Sequence, residues 1–243
     1  MLARRIAALV KWLLPGMAIA TLARAQMGAQ EFPTSRPQAA LSVQMPRHSA
    51  PPRRGRADFR GEIAPIDVQR MAEWVATSAD NGGLPFAIID KKGAEVFVFN
   101  RQGQLLDAAP ALLGLAVGDD SVPGVGEEPL SAIPPEDRTT PAGRFVAYVG
   151  QEPGKPNTLW VDHKDNVALH RVITGRPKDH RLQRLATPTP LDNRITFGCI
   201  NVPIDFFERT VLPAFTGTEG IVYILPEIKA TREVFSNYYD VGA

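Results

Sequence analysis

The stretch Phe86-Ala-Ile-Ile-Asp90-Lys-Lys-Gly-Ala-Glu95-Val-Phe-Val-Phe-Asn100-Arg-Gln-Gly-Gln104-Leu-Leu-Asp-Ala108 decides the fold class. It holds three short runs, Phe86 to Asp90, Glu95 to Asn100 and Gln104 to Ala108, parted by the polar glycine turns Lys91-Lys92-Gly93 and Arg101-Gln102-Gly103. Runs too short for helices, the first two rich in aromatic and β-branched residues and parted from one another by glycine turns, read as antiparallel strands in a β-meander. Leu112 to Val117, Arg144 to Val149, Leu159 to Asp162, Val167 to Ile173 and Ile221 to Leu225 continue the pattern. Helical spacing occurs at Val68, Ala72, Val75 and Ala79, with Pro65 suited to the first turn and Gly82-Gly83 to the stop. A second helix is expected from about Pro203 to Val211. The chain is therefore expected to be mainly β (α+β), with one or two short helices.

Outward from this region the composition changes. Residues 1–25 carry four basic and no acidic side chains, an apolar run from Ile6 to Leu22, and small residues at Ala23 and Ala25. That is the layout of a secretory signal peptide, while Lys11, Pro15 and Gly16 interrupt the run short of the ~20 apolar residues that a membrane span needs. Cleavage after Ala25 leaves an exported protein of the periplasm or cell envelope, with no integral membrane span. Residues 26–60, with Pro33, Pro37, Pro46, Pro51, Pro52 and six arginines, read as a flexible, solvated Pro/Arg-rich arm. The folded domain is expected over 61–243, where 17 basic face 24 acidic side chains, a balance that argues against any nucleic-acid partner.

The chain has one cysteine, so it can form neither an internal disulfide nor a paired-thiol metal or redox motif. Cys199 lies in Asp192-Asn-Arg194-Ile-Thr196-Phe197-Gly198-Cys199-Ile-Asn201-Val-Pro203. The glycine before it lets backbone approach a substrate closely, and the helix expected from Pro203 brings an N-terminal dipole that favours a thiolate. On these residues alone Cys199 is either a nucleophile or a small buried side chain in a tight turn. A nucleophile needs a base. His48 lies in the arm, His163 in the polar turn Asp162 to Asn166 and His180 in a basic loop, which leaves His170, at the end of a strand, as the candidate. Its plainer reading is a core histidine bonded to a carbonyl. The histidine spacings match no compact ligand motif, so no metal is expected. Trp160 and Phe206-Phe207 read as core, and the pairs Asp119-Asp120 and Glu127-Glu128 as solvated loop. Arg171 and Arg194 either meet substrate carboxylates or form ordinary ion pairs, and Asn201 either orients the site or closes its own turn.

In order along the chain these pieces resemble the catalytic domain of the L,D-transpeptidases (YkuD-type), whose signature is a strand histidine followed by Ser/Thr-His-Gly-Cys-x-Asn/Arg. Thr196, Gly198, Cys199 and Asn201 match it, His170 matches the upstream histidine, and Thr140-Pro-Ala-Gly143-Arg-Phe145 resembles the family's Thr-Pro-x-Gly-x-Phe segment. The strand pair from Phe86 to Asn100 resembles the opening meander, so the likeness covers about residues 84–226. It implies an L,D-transpeptidase-like β-sandwich, Cys199 as nucleophile, His170 as general base and acid, and Gly198, Thr196 and Asn201 shaping the site. Backbone N–H groups at Gly198 and Cys199 are the expected oxyanion donors. The substrates implied are peptidoglycan stem peptides, with carbapenem-type inhibitors acylating Cys199 and no nucleotide, metal or organic cofactor. Hydrolysis of the same bonds by a carboxypeptidase or endopeptidase, and an inactive wall-binding protein, are the alternatives. Three departures stand out: Phe197 holds the place of the motif's histidine, Arg171 that of a small residue, and 28 residues separate His170 from Cys199. The extra length, Arg176 to Thr189, reads as a lid or as an ordinary insertion.

Overall fold

The computed structural model describes residues 55–150 and 156–241. The three opening runs form the expected meander β1 (Phe86–Asp90), β2 (Glu95–Phe99) and β3 (Leu105–Pro110), with Phe86 opposite Phe99 and Asp90 opposite Glu95. After the two-residue β4 (Leu113–Gly114) come β5 (Gly143–Gly150), β6 (Thr158–Asp162), β7 (Val167–Arg171), β8 (Arg194–Thr196), β9 (Ile200–Val202) and β10 (Glu219–Ile224). Eight strands share one sheet in the order β3-β2-β1-β10-β5-β6-β7-β9, and β4 pairs with β8 apart from it. Neighbours are antiparallel except at β1–β10 and β7–β9. The helices are α1 (Ile66–Ser78), α2 (Arg181–Ala186), α3 (Ile204–Phe206), α4 (Leu212–Phe215) and α5 (Thr231–Val234). The fold is thus mixed α+β, a large sheet with a few short helices.

Side chains alternate between two faces along each strand, and the two faces have different fates. Inward, Ala87, Ile89, Val96 and Val98 from one half meet Ala147, Leu159, Val161, Leu169, Ile200 and Val202 from the other in a single buried cluster. The sheet therefore bends around its own inner face, and Phe207, Val211 and Phe215 fill the remainder. Each such side chain contributes roughly 1.5–3 kcal/mol on burial. Those three belong to one helical stretch, in which α3 passes through a π-helical turn, Phe207–Val211, into α4. Pro213 has no N–H to offer the carbonyl four residues back, and the wide turn lies just ahead of it.

Outward, α1 lays Val68, Met71, Ala72, Trp74 and Val75 over Phe86, Ile88, Phe97, Phe99, Ile221 and Tyr223. It covers the β3-β2-β1-β10 half only. Outward side chains of the other half, among them Val146, Tyr148, Trp160 and His170, stay exposed or half-buried. α1 ends at Ala79, which takes a left-handed φ of 58°, ahead of the glycines expected to stop it.

Several expectations are corrected. Leu112 to Val117 yields only β4, while β8, β9 and α2 were not anticipated, because three residues are too few for a strand period to register and six too few for a helical one. Packing begins before residue 61: the Asp58 N–H donates to Gly103 O at 3.0 Å, the Leu105 N–H donates to Asp58 O at 2.8 Å, and Phe59 sits edge-on to Phe99 at 5.5 Å. The leader, residues 26–54 of the arm and His48 lie outside the described residues. Among the described residues no helix is long and apolar enough to cross a membrane.

Asp119, expected in a solvated loop, is buried in an ionic cluster. The fully buried Lys91 ammonium donates to Asp119 Oδ1 at 2.7 Å, Gly118 O at 2.5 Å and Thr140 O at 3.0 Å, with Glu227 Oε1 at 3.5 Å. Asp119 also accepts the N–H groups of Glu227, Ile228 and Lys229. Burial works against its ionisation, but these backbone donors and Lys91 outweigh burial and hold the carboxyl well below the usual carboxylate range. A depressed carboxylate supplies stability above its unfolded pKa of about 4 and loses it as pH falls below that. Replacing Asp119 by Ala leaves the buried Lys91 ammonium with Glu227, at 3.5 Å, for its counter-charge and frees three backbone N–H groups, so denaturant melts at pH 7 should show a loss of about 3–5 kcal/mol, and a much smaller difference from wild type near pH 2.

Candidate active site

The turn before Cys199 is built by two threonines. Thr140, fully buried, donates its hydroxyl to Gly198 O at 2.8 Å and accepts the Gly114 N–H at 2.8 Å. Thr196 Oγ1 donates to Cys199 O at 2.6 Å and accepts the Gly198 N–H at 3.2 Å. Gly198 itself has φ 128°, and a Cβ there would stand 2.8 Å from Thr139 O, so both conformation and space require glycine. With the Gly198 N–H taken by Thr196, the free donor at this turn is the Cys199 N–H, which has no partner among the described residues. The expected help from a helix terminus is absent, because β9 follows Cys199 directly and α3 begins beyond it. The half-buried thiol donates to Asn166 O at 3.5 Å. Burial pushes its pKa up and a backbone hydrogen bond at Ala168 offsets only part of this, so Cys199 rests as the protonated thiol.

His170 reaches the same face from the neighbouring strand. β7 runs parallel to β9 with His170 opposite Asn201, while Leu169, Ile200 and Val202 point into the core. Cys199 is two residues before Asn201, so the period of two sets all three on the outward side. The Nδ1 of His170 lies 2.7 Å from Arg171 O, an arrangement that places the proton on Nδ1 and leaves Nε2 with its lone pair. Nε2 meets Asn201 Nδ2 at 3.3 Å, and Asn201 Oδ1 accepts from Arg181 Nη1 at 2.8 Å, which orients the amide. Arg181, at the start of α2, is held by Asp179 at 3.1 Å. Burial lowers the His170 pKa, the Arg171 carbonyl opposes it, and the charges of Arg181 and Arg171 add to the lowering. The resting pair is therefore a neutral thiol and a neutral imidazole, each bonded to a third group rather than to the other.

The structure separates the remaining candidates. Arg171 points to the opposite face of β7, where Glu208 at 2.5 Å, Asn157 O at 2.7 Å and the Phe207 ring at 4.3 Å engage it, so it has no place at the thiol. Arg194 is committed to Lys91 O, Ala116 O and Glu227. Of the two readings open for each, a contact to substrate carboxylates or an ion pair, the structure shows the ion pair, Arg171 with Glu208 and Arg194 with Glu227. The Phe197 ring is covered by the Arg138 guanidinium at 4.1 Å, which is itself anchored on Ile133 O. Leu185 of α2 is buried with Leu112 and Val172, so the Arg176–Thr189 insertion is pinned beside β9. Phe206 and Phe207 are core as read, whereas Trp160 is not: it stands half-buried on the outer face. His163 and His180 are exposed. Sequence reasoning missed Arg181 and Asn166, and the only signal for Arg181 was the basic character of the insertion.

No family model matches the chain, and no curated protein matches it. Among solved structures it is similar to the helical cell shape determining protein Pgp2 from Campylobacter jejuni, at 14% identity over 60% of this chain and 49% of that one, with a TM-score of 0.40. It is also similar to an L,D-transpeptidase from Xylanimonas cellulosilytica, at 12% identity over 58% of this chain and 60% of that one, TM-score 0.34. An L,D-transpeptidase from Mycobacterium smegmatis matches at 14% identity over 58% of each chain, TM-score 0.32. The chain spans about half the length of the Pgp2 structure and under two thirds of the other two.

The Arg181–Asn201–His170 chain makes a measurable statement about the imidazole. In 15N-histidine-labelled protein the His170 ring should show the Nδ1–H tautomer and titrate below the ordinary 6.5. Arg181→Gln removes a lowering charge, and the His170 titration should move to higher pH with the fold intact by circular dichroism.

Proposed function

We propose that the protein is a cysteine acyltransferase of peptidoglycan stem peptides, an L,D-transpeptidase. What supports the reading above all is the placement of His170 on β7 and of Cys199 immediately before the adjacent parallel strand β9, on the sheet face that α1 leaves uncovered, beside an unengaged Cys199 N–H. The motif resemblance, His170 upstream and Thr196, Gly198, Cys199 and Asn201 downstream, supplies the identity of the substrates.

Because thiol and imidazole are both neutral at rest, His170 acts as a general base and not as half of a standing ion pair. The thiol turns from Asn166 O to His170 Nε2, and Asn201 yields its place on that nitrogen. Nε2 takes the proton while Sγ forms a bond to the carbonyl carbon of the third stem residue. The carbonyl oxygen becomes an oxyanion facing the Cys199 N–H. Collapse breaks the C–N bond as Nε2–H protonates the leaving D-alanine amine, which leaves a thioester on Cys199. The side-chain amine of a diaminopimelate on a second stem then attacks the thioester and passes its proton to Nε2. Expulsion of the thiolate, reprotonated from His170, completes the new amide and restores the starting pair. Water in place of that amine gives the hydrolase, which shares every residue of the first half-reaction. Neither half-reaction calls for a metal or organic cofactor, and the place of action is the exported, cell-envelope side.

Intact mass of the purified protein after incubation with a D-alanine-ended tetrapeptide, or with imipenem, tests the reading. A single adduct on Cys199, lost in Cys199→Ala, is expected, and His170→Ala should slow its formation by roughly 10²–10⁴-fold. Free D-alanine with cross-linked dimer identifies the transferase, and free D-alanine without dimer the hydrolase. Folded protein with neither adduct nor product overturns the enzyme reading in favour of an inert wall-binding domain.

A further inference from the structure

The half of the outer sheet face that α1 leaves bare carries more than the thiol and imidazole. Tyr148 on β5 lies opposite Trp160 on β6, and Trp160 lies opposite Ala168 on β7. Leu169 is opposite Ile200, so Cys199 is level with Ala168 and ends the same cross-sheet row. Tyr148 and Trp160 thus point out from the surface that presents the nucleophile.

The rings are arranged as a platform. His163, from the turn between β6 and β7, lies near-parallel to Trp160 at 4.9 Å and 18° and beside Tyr148 at 5.4 Å and 21°, with its Nε2 in hydrogen-bond contact with the Tyr148 hydroxyl. The indole lies over Gly150, where an added Cβ would meet its Cδ1 at 2.7 Å and its Nε1 at 2.9 Å. None of the three rings belongs to a buried cluster, and Tyr148 is 39% and the flanking Val146 49% exposed. Near-parallel aromatic rings on a patch where Tyr148 and His163 are exposed and Trp160 is half-buried suit the C–H face of a pyranose ring.

Spacing says what would lie there. Strands are about 4.8 Å apart, so Trp160, two strands from Cys199, is roughly 10 Å away and Tyr148, three strands away, roughly 14 Å. A stem whose third carbonyl sits at Cys199 has about three residues between that atom and its sugar, or roughly 10 Å at 3.3–3.6 Å per residue. The reach of the stem therefore matches the distance to the rings.

We infer that Tyr148, Trp160 and His163 form a subsite for the N-acetylhexosamine ring bearing the donor stem, so that the protein selects glycan-linked stems over free peptide. The inference rests on the proposed function for its donor, and its test separates the two. Acyl-enzyme formation is compared for a disaccharide tetrapeptide and for the same tetrapeptide without sugar. The glycan-linked donor should be preferred roughly tenfold in kcat/KM, a preference that falls toward one in Trp160→Ala and Tyr148→Ala and is largely kept in Trp160→Phe. Independently of catalysis, the Trp160 indole N–H signal, assigned by its loss in Trp160→Phe, should shift and saturate on titration with chitotetraose. Acylation by neither donor together with a chitotetraose shift overturns the transpeptidase reading and upholds the sugar subsite. Equal use of both donors with no shift overturns the subsite. A preference that survives both alanine variants, with their fold verified by circular dichroism, also overturns it, since the sugar is then held elsewhere.

Discussion

β10 sits between β1 and β5, and its side chains are buried on both faces of the sheet. Val222 and Ile224 enter the inner cluster while Ile221 and Tyr223 enter the outer one, so the strand demands a cover on each side. The inner cover is the far half of the same sheet together with the helical stretch 204–215. The outer cover is α1, a single thirteen-residue helix, and one helix spans only part of an eight-stranded sheet. The exposed remainder is where Cys199, His170, Tyr148 and Trp160 stand. A bare sheet face is ordinarily a solvation problem, and here it coincides with the candidate chemistry.

Two internal networks hold that face in register. Thr140 links the first of them to the turn before Cys199: its carbonyl accepts from the buried Lys91, and its hydroxyl donates to Gly198 O. The ionic cluster of Lys91, Asp119, Glu227 and Arg194 thereby ties the C-terminal segment and the root of the loop after β4 to the turn that presents Cys199. The second network runs from Asp179 through Arg181 and Asn201 to His170. It sets the imidazole tautomer and, with burial, keeps the ring neutral. The resting protein thus holds a neutral imidazole beside a neutral thiol.

The meander and α1 were legible because each spans enough residues for its period to show, five or six per strand and thirteen for the helix. Cys199, Gly198, Thr196, Asn201 and His170 were legible because their residue types follow one another in a known order. Arg171 and Arg194 looked like substrate contacts for the same reason that any arginine near a motif does. Charge is visible in a sequence, but the partner that consumes it is not: Glu208 is 37 residues from Arg171 and Glu227 is 33 from Arg194. Trp160 was misread as core because large aromatics usually are, and because a strand's inward and outward sides cannot be distinguished until its neighbours are known.

By itself, then, the amino-acid order determined the local periods, the glycine at a position that tolerates nothing else, and the presence of a cysteine with a histidine upstream. Tertiary structure alone decided that the two share a face, since this depends on the parallel pairing of β7 with β9 across a 28-residue separation. It likewise decided that the backbone N–H left free at the turn is that of Cys199 and not of Gly198, that Arg181 reaches His170 through Asn201, and that the aromatic row leads to the thiol. Each of these is a contact between segments far apart in the chain, set by strand register and burial, and neither composition nor spacing carries that information.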